Sequence, residues 1–251
     1  IVVSGRLDVL GGSVQVEEVV EGMQEEEHHH EHEDEDEEHE HEHEDSDSHE
    51  ETEEHEEDAH EDAGEEHDHE EGPEYDEHVW LSLRNAAVLT SNISEALQKI
   101  DAKNAQTYRK NSDDYIAKLT ALDQHYEEVI SASAVKTVLF GDRFPFRYLT
   151  DDYGLSYYAA FVGCSAETEA SFETILFLAE KVDELSLNAV MTIEGKDHRI
   201  AETIVQNTKT KDQKILTMDS LQSTTSKDVE NGASYLSVME QNLSVLAEAL
   251  K

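Results

Sequence analysis

The sequence contains few basic residues, two prolines and a single cysteine. Only 18 Lys and Arg stand against 61 Asp and Glu in 251 residues, so the formal net charge is −43. A chain so short of basic residues lacks the patches that bind nucleic acid or an anionic membrane surface. Cys164, as the single cysteine, cannot form an intramolecular disulfide. Cysteine usage therefore neither requires nor excludes an oxidising compartment. No apolar run reaches the roughly 18 residues of a membrane-spanning helix.

Most of the negative charge lies in one segment, residues 25–77, which we call the acidic tract. It contains 32 Asp and Glu, 12 of the 15 His, and no Lys or Arg, so the other 198 residues carry a charge of about −11. The tract has almost no aliphatic residues and cannot offset its ordering entropy by apolar burial. We predict a disordered His/Asp/Glu-rich loop.

The histidines of the tract indicate metal capture. Neutral imidazoles are ligands for zinc, and carboxylates add negative charge. Without a fixed spacing, the tract is expected to bind several ions loosely. The alternative is a purely solubilising loop, but acidity alone would not require so many histidines. The candidate loop ligands are His28, His29, His30, His32, His39, His41, His43, His49, His55, His60, His67 and His69.

Residues 78–132 carry a helical pattern. Ser82 is a plausible N-cap, and apolar residues recur at three and four positions from Leu89 to Val129. The pattern predicts two helices, or one long linker helix interrupted near residues 101–111. Before the tract, residues 1–24 suggest short strands at Ile1–Val3 and around Val14–Val20.

The pattern changes after residue 133 to short β-branched runs that alternate with amphipathic helices. Strands separated by helices predict right-handed crossovers and a parallel sheet. We therefore predict an α/β fold, with a C-terminal lobe over residues 133–251, a four-stranded parallel sheet flanked by helices, and a closing helix. The predicted strands are Val135–Phe140, Tyr157–Val162, Ala189–Ile193 and Ile215–Met218.

Three of these strands end in a carboxylate. Asp142 follows the first strand, Glu194 the third and Asp219 the fourth. In open parallel sheets ligands bind beyond the carboxyl ends of the strands, and acids meeting there would need a cation or a proton to share. The alternative is that each acid only caps the following helix.

Two histidines outside the tract are candidate metal ligands. His78 adjoins the tract and precedes a helix, so it is either a surface residue or a ligand for Zn²⁺ or Mn²⁺. His198 lies at the start of a predicted helix, where capping is favoured over coordination. We assign His125 no function, and Cys164 is expected to be a small packed residue.

Several segments together resemble a known family. They are Asp76-Glu77-His78-Val79-Trp80-Leu81-Ser82, the run from Phe140 to Tyr148, Thr192-Ile193-Glu194, Leu216-Thr217-Met218-Asp219-Ser220 and Gly232-Ala233-Ser234-Tyr235-Leu236. In this order they resemble the metal-binding solute-binding proteins of ABC importers, specifically the high-affinity zinc-uptake (ZnuA-like) lipoproteins. The resemblance extends over about residues 10–251.

The resemblance implies a two-lobed α/β protein with a metal in the cleft, outside the cytoplasm, at the cell surface or in the periplasm. It implies that His78 is a metal ligand at the head of the linker helix, and it ranks Asp219 first among the carboxylates. Zinc members commonly carry His where this chain has Gly141, so Asp142 is the candidate substitute. The family's first lobe is normally a full domain, so we expect a member that lacks most of that lobe.

Three functions are compared. The first is a monomeric zinc-binding component of an ABC importer, with a membrane permease as partner, whose tract collects ions for a cleft site near His78. The second is a metal buffer or sensor that binds zinc and a protein partner without transport. The third, an enzyme using Asp142, Glu194 and Asp219, is the weakest, because the sequence contains no Walker A, dinucleotide, G-x-S-x-G or H-E-x-x-H motif.

Overall fold

The computed structural model describes residues 15–16, 18–24, 75–163, 165, 169–195 and 197–251. All of them belong to one compact unit. The predicted strand at Ile1–Val3, Cys164 and all twelve histidines of the acidic tract fall outside the described residues. Within the described part of the chain, no helix is both long and apolar enough to cross a membrane.

The first part of the unit is a pair of helices. A 3₁₀ turn at Val79–Leu81 leads into α1 (Leu83–Ile100), and a second turn at Ala102–Asn104 leads into α2 (Ala105–Ala132). The two helices run antiparallel, because Ser112 near the start of α2 bonds Ser94 of α1 at 2.9 Å, whereas Asp123 further along α2 pairs with Arg84 near the start of α1. The sequence pattern allowed two helices or one interrupted linker helix, and the structure contains two helices.

The second part is a four-stranded parallel sheet in the order β2-β1-β3-β4. The four strands predicted for the C-terminal lobe and the closing helix are present, whereas two short helices, α3 and α6, were not predicted. The elements are β1 (Thr137–Phe144), α3 (Arg147–Tyr153), β2 (Ser156–Val162), α4 (Phe172–Glu184), β3 (Ala189–Ile193), α5 (Arg199–Asn207), β4 (Lys214–Met218), α6 (Ser226–Glu230) and α7 (Tyr235–Ala249).

Helices cover both faces of the sheet. Successive side chains of each strand point to opposite faces, so neighbouring residues join different apolar clusters. In β1, Val138 and Phe140 join the cluster formed with α2, α3 and α7. Leu139, between them, joins the cluster formed with α4 and α5. Burial on both sides explains why the strands read as continuous apolar runs rather than as alternating ones.

The strand order contains one point where the direction of winding reverses. From β1 the chain moves to β2 on one side, then crosses to β3 on the other side and continues to β4. The crevice beyond the carboxyl ends of β1 and β3 is therefore the topological switch point, where open α/β sheets bind their ligands.

Two sequence expectations about strands are wrong. β1 does not end at Phe140 but continues to Phe144, with a one-residue bulge between Phe140 and Arg143. In the region around Val14–Val20, the described residues contain only one bridge, from Val16 to Tyr75. The segment instead joins the sheet later, where Gln24 pairs with Phe161 of β2.

Candidate metal centre

The segment from Asp76 to Ser82 lies along the carboxyl edge of the sheet. At one end, the ring of His78 lies so close to Gly163, just after β2, that a Cβ there would be 2.9 Å from Cε1 of His78. Further along, Trp80 Nε1–H donates to the carbonyl of Ser220, after β4, at 3.0 Å. The segment therefore connects the ends of the two outer strands, and Ser82 closes it by capping α1 through the amide of Asn85.

His78 forms a buried pair with Asp76. The two residues are 2% and 3% exposed. Asp76 Oδ1 accepts from the backbone amide of His78 at 2.8 Å and lies 2.9 Å from Nδ1 of the ring. A carboxylate can only accept, so Nδ1 is the donor in this pair, and in the neutral ring Nε2 is then the nitrogen with the lone pair. This is the state in which a histidine coordinates a metal through Nε2.

Asp142 lies within β1, at the bulge, rather than after the strand. Bulges re-aim side chains, and they are common next to functional sites. The carboxylate accepts from the amides of Arg143 at 2.8 Å and Ile193 at 3.3 Å. Burial raises the pKa of Asp142, and these two bonds with the charges of Arg143 and His198 oppose the rise.

The neighbouring Gly141 has no room for a side chain. A Cβ at this position would lie 2.6 Å from the Cα of Ala201 in α5. A histidine therefore cannot be accommodated here without moving α5, and Asp142 is the nearest candidate ligand on β1.

Glu194 holds the loop after β4. Its two carboxylate oxygens accept from the amide and the hydroxyl of Ser220, both at 2.7 Å, and from the amide of Gln222 at 3.2 Å. These contacts connect the end of β3 to the end of β4. Glu194 thus already serves as the hydrogen-bond acceptor that holds this loop in place.

Asp219 lies at the end of β4 and is fixed through its backbone. The amide of Asp219 donates to Oδ1 of Asn242 in α7, and the carbonyl of Asp219 accepts from Nδ2 of the same residue, both at 2.8 Å. The carboxylate accepts from the amide of Leu221 at 2.7 Å. Burial raises the pKa of Asp219, and the negative charge of Glu194 raises it further.

His198 is the N-cap residue of α5, but its side chain makes no capping bond. Its Nδ1 is buried and has no hydrogen-bond partner in the part of the chain that the structure describes. Nearby, at the switch point, a cavity of about 570 Å³ is lined by Asp142, Arg143 and Glu194 together with residues of α4 and α5.

The three carboxylates thus share the carboxyl edge, as the strand pattern predicted, but they do different things there. Asp142 faces the gap between β1 and β3, and Glu194 binds the loop that begins at Asp219. Among the described residues, no three His, Cys, Asp or Glu side chains are grouped closely enough to hold one metal ion. The set of His78, Asp142, Asp219, Glu194 and His198 therefore stays a prediction.

Three important contacts had no signal in the sequence. Trp80 connects to the β4 loop, Asn242 holds Asp219, and the hydroxyl of Tyr148 connects two distant chain segments. Tyr148 accepts from the amide of Gln15 at 3.0 Å and donates to the carbonyl of Asp76 at 2.9 Å. Each contact joins residues more than 20 positions apart, so no local spacing could reveal it.

The fold and its polar edge define an α/β protein with a cavity at the switch point of a parallel sheet. The family described as "Zinc-uptake complex component A periplasmic" matches residues 6–249, nearly the whole chain. The chain belongs to this family, in agreement with the resemblance read from its motifs.

Individual relatives agree with the family assignment. The zinc-binding lipoprotein AdcA of Streptococcus pneumoniae is 33% identical over 175 residues, which are 70% of this chain and 34% of AdcA. The high-affinity zinc uptake system protein ZnuA of Bacillus subtilis is 30% identical over 70% of this chain and 53% of its own length. The chain thus spans about a third to a half of these relatives.

Solved structures also match the fold. The Zn(II)-bound ZnuA-like domain of S. pneumoniae AdcA is 31% identical, with a TM-score of 0.59 over 70% of this chain and 64% of that domain. The metal-dependent lipoprotein YcdH of B. subtilis is 28% identical, with a TM-score of 0.61 over 70% of this chain and 65% of YcdH.

Proposed function

We propose that this chain is the zinc-binding component of an ABC-type importer, which captures Zn²⁺ outside the cytoplasm and delivers it to a membrane permease. The observation that carries the proposal is the buried His78 imidazole, which Asp76 holds through Nδ1 at the carboxyl edge of the sheet. Family membership and the zinc-binding names of relatives support zinc as the cargo.

The carboxylates of the edge support a cation as the ligand. Burial raises the pKa of both Asp142 and Asp219, which means that their charged forms are disfavoured in the metal-free protein. A divalent cation beside them would offset that cost. We propose His78, Asp142 and Asp219 as the ligands of the cleft site, with Glu194 and His198 as outer candidates.

The acidic tract is proposed to be a collector that raises the local concentration of zinc. Its 12 histidines and 32 acids supply many weak ligands without a fixed geometry. Binding there should be loose and multiple, whereas binding at the edge should be tight and single.

The proposal is tested by calorimetric titration of zinc into four proteins: the full chain, His78→Ala, a deletion of residues 27–72 closed by a short Gly/Ser linker, and His125→Ala. His125 is an exposed histidine of α2 and serves as the matched control. We expect His78→Ala to lose tight binding, the deletion to lose only weak sites, and His125→Ala to match the unaltered chain.

Two outcomes contradict the proposal. If neither the full chain nor the deletion binds zinc, the protein is not a zinc-binding component. If His78→Ala keeps tight binding while the deletion abolishes all binding, the tract is the only binding element, and the buffer or sensor function replaces the importer function.

A further inference from the structure

His78 is held by a chain of contacts whose members are not themselves candidate ligands. Asp76 bonds both the backbone amide and the ring of His78 through a single oxygen, Oδ1. This double contact fixes both the backbone amide of His78 and the orientation of its ring. A buried carboxylate on the far nitrogen of a histidine is the arrangement that, in zinc proteins, fixes the tautomer and raises ligand basicity.

Asp76 is in turn fixed by its own backbone. Its amide donates to the carbonyl of Gln15 at 3.0 Å, and its carbonyl accepts from the hydroxyl of Tyr148 at 2.9 Å. The same hydroxyl accepts from the amide of Gln15 at 3.0 Å. Tyr148 is a buried residue of α3, so the short helix anchors Gln15, before the acidic tract, and Asp76, near its end, next to His78.

Two further contacts restrict the ring of His78. Gly163 leaves only enough room for the His78 ring, and the ring of Trp80 lies 5.4 Å from it, centroid to centroid. A ring flip that exchanged Nδ1 and Nε2 would have to break the bond to Asp76 within this confined space. The fold therefore selects one orientation before any metal binds.

We propose that Asp76 is a positioning residue for zinc capture: it holds His78 in the Nδ1–H tautomer, so that Nε2 faces the metal, and Tyr148 keeps Asp76 in place. This inference rests on the proposed function, since it concerns the presentation of the same histidine. It adds two residues, Asp76 and Tyr148, that act through His78 and do not touch the ion.

The first test reads the tautomer in the metal-free full chain by ¹⁵N imidazole NMR at pH 7.5, with the His78 signal assigned by its absence in His78→Ala. We expect the Nδ1–H form in the unaltered chain and a mixture of tautomers in Asp76→Ala. Asp76→Asn keeps an acceptor oxygen and should retain the Nδ1–H form. Glu77→Gln removes a charge from the exposed neighbour and should change nothing.

The second test measures the zinc affinity of these proteins, and of two tyrosine variants, by competition with a chelator. Loss of the hydrogen-bond partner of a metal-binding histidine typically lowers metal affinity 10- to 100-fold. We expect that loss in Asp76→Ala, a smaller one in Asp76→Asn, and none in Glu77→Gln. Tyr148→Phe should weaken binding, whereas Tyr158→Phe, on the other face of the sheet, should not.

The outcomes separate the two proposals. If His78→Ala binds zinc as tightly as the unaltered chain, the proposed function fails. If His78→Ala loses tight binding while Asp76→Ala keeps both the tautomer and the affinity, only the positioning role fails. Circular dichroism of each variant identifies misfolding, and Asp76→Asn tests the role even if Asp76→Ala does not fold.

Discussion

At the scale of single residues, neighbouring atoms leave little space around the ring of His78. Gly163 follows β2, and a Cβ there would lie 2.9 Å from Cε1 and 3.2 Å from Nδ1 of His78, and 3.0 Å from the carbonyl oxygen of Phe144. The glycine is required because a ring and a backbone oxygen occupy the position of a side chain.

We predict that Gly163→Ala lowers the free energy of unfolding by about 1–3 kcal/mol, as overpacking of a buried site does. It should also weaken zinc binding, because the ring must move away from Asp76. Urea unfolding and zinc titration measure the two effects.

The control is the same substitution in a His78→Ala background. Removing the ring should relieve part of the clash, so the cost of Gly163→Ala should be smaller there. An equal cost in both backgrounds would show that the ring is not what Gly163 accommodates.

At the scale of elements, one arginine connects three helices. Arg84 of α1 donates to Asp123 of α2 at 3.2 Å and lies 3.8 Å from Asp152 of α3. Its guanidinium also lies 5.4 Å from the centre of the Tyr153 ring. Burial raises the pKa of Asp152, whereas a hydrogen bond from Ser82 and the charge of Arg84 oppose the rise.

We predict that Arg84→Met destabilises the protein more at pH 7.5 than at pH 4.5. Without the arginine, the folded-state pKa of Asp152 rises further above its unfolded value of about 3.9. The folded state then binds more protons than the unfolded state, so stability falls as pH rises through this window. Because Arg84 is 47% exposed, the loss at pH 7.5 should be only about 1 kcal/mol.

Urea unfolding at the two pH values measures this difference. Arg109→Met is the matched control, since Arg109 bonds the neutral amide of Gln98 at 3.2 Å. Its effect should not depend on pH. An equal loss at both pH values for Arg84→Met would contradict the role of Asp152.

A second element-scale contact fixes the end of β4 to α7. Asn242 is 1% exposed, and its amide group satisfies both backbone groups of Asp219. We predict that Asn242→Ala costs about 2–3 kcal/mol in urea unfolding, because it leaves buried polar groups unsatisfied. The exposed neighbour provides the control: Gln241→Ala should cost less than about 0.5 kcal/mol. A similarly small loss for Asn242→Ala would mean that other groups replace its bonds.

At the scale of the whole molecule, the charge and the core belong to different parts of the chain. Residues 27–72 hold 27 of the 61 acidic residues. The two apolar clusters of the described residues are built from β1–β4, the helices that cover them and the segments that lead into them. Stability and charge should therefore be separable.

We predict that deletion of residues 27–72 leaves a cooperative thermal transition within a few degrees of that of the full chain. Differential scanning calorimetry in the absence of metal measures it. A broad, non-cooperative transition would show that the tract contributes to the fold. The boundaries retain Gln15, Tyr75 and Asp76, whose contacts hold the flanking segments together.

Local patterns in the sequence predict the observed elements best. Ala189–Ile193 was predicted with its observed bounds, because a buried strand between polar turns is visible in five residues. Ser82 was predicted as an N-cap and accepts from the amide of Asn85. The bulge in β1 was missed, because Gly141-Asp142 reads as the end of a strand when the partner strand is not known.

The sequence by itself determined the α/β class, the four strands and the longer helices, the family and the candidate ligands, because periodicity, capping residues and motifs can be recognised from neighbouring residues. Only the tertiary structure decided how those candidates differ: Glu194 binds the β4 loop, Gly141 is closed by Ala201, and Asp76 and Tyr148 hold His78. These distinctions depend on contacts between residues far apart in the chain, and such contacts exist only once the sheet order brings the strand ends to one edge.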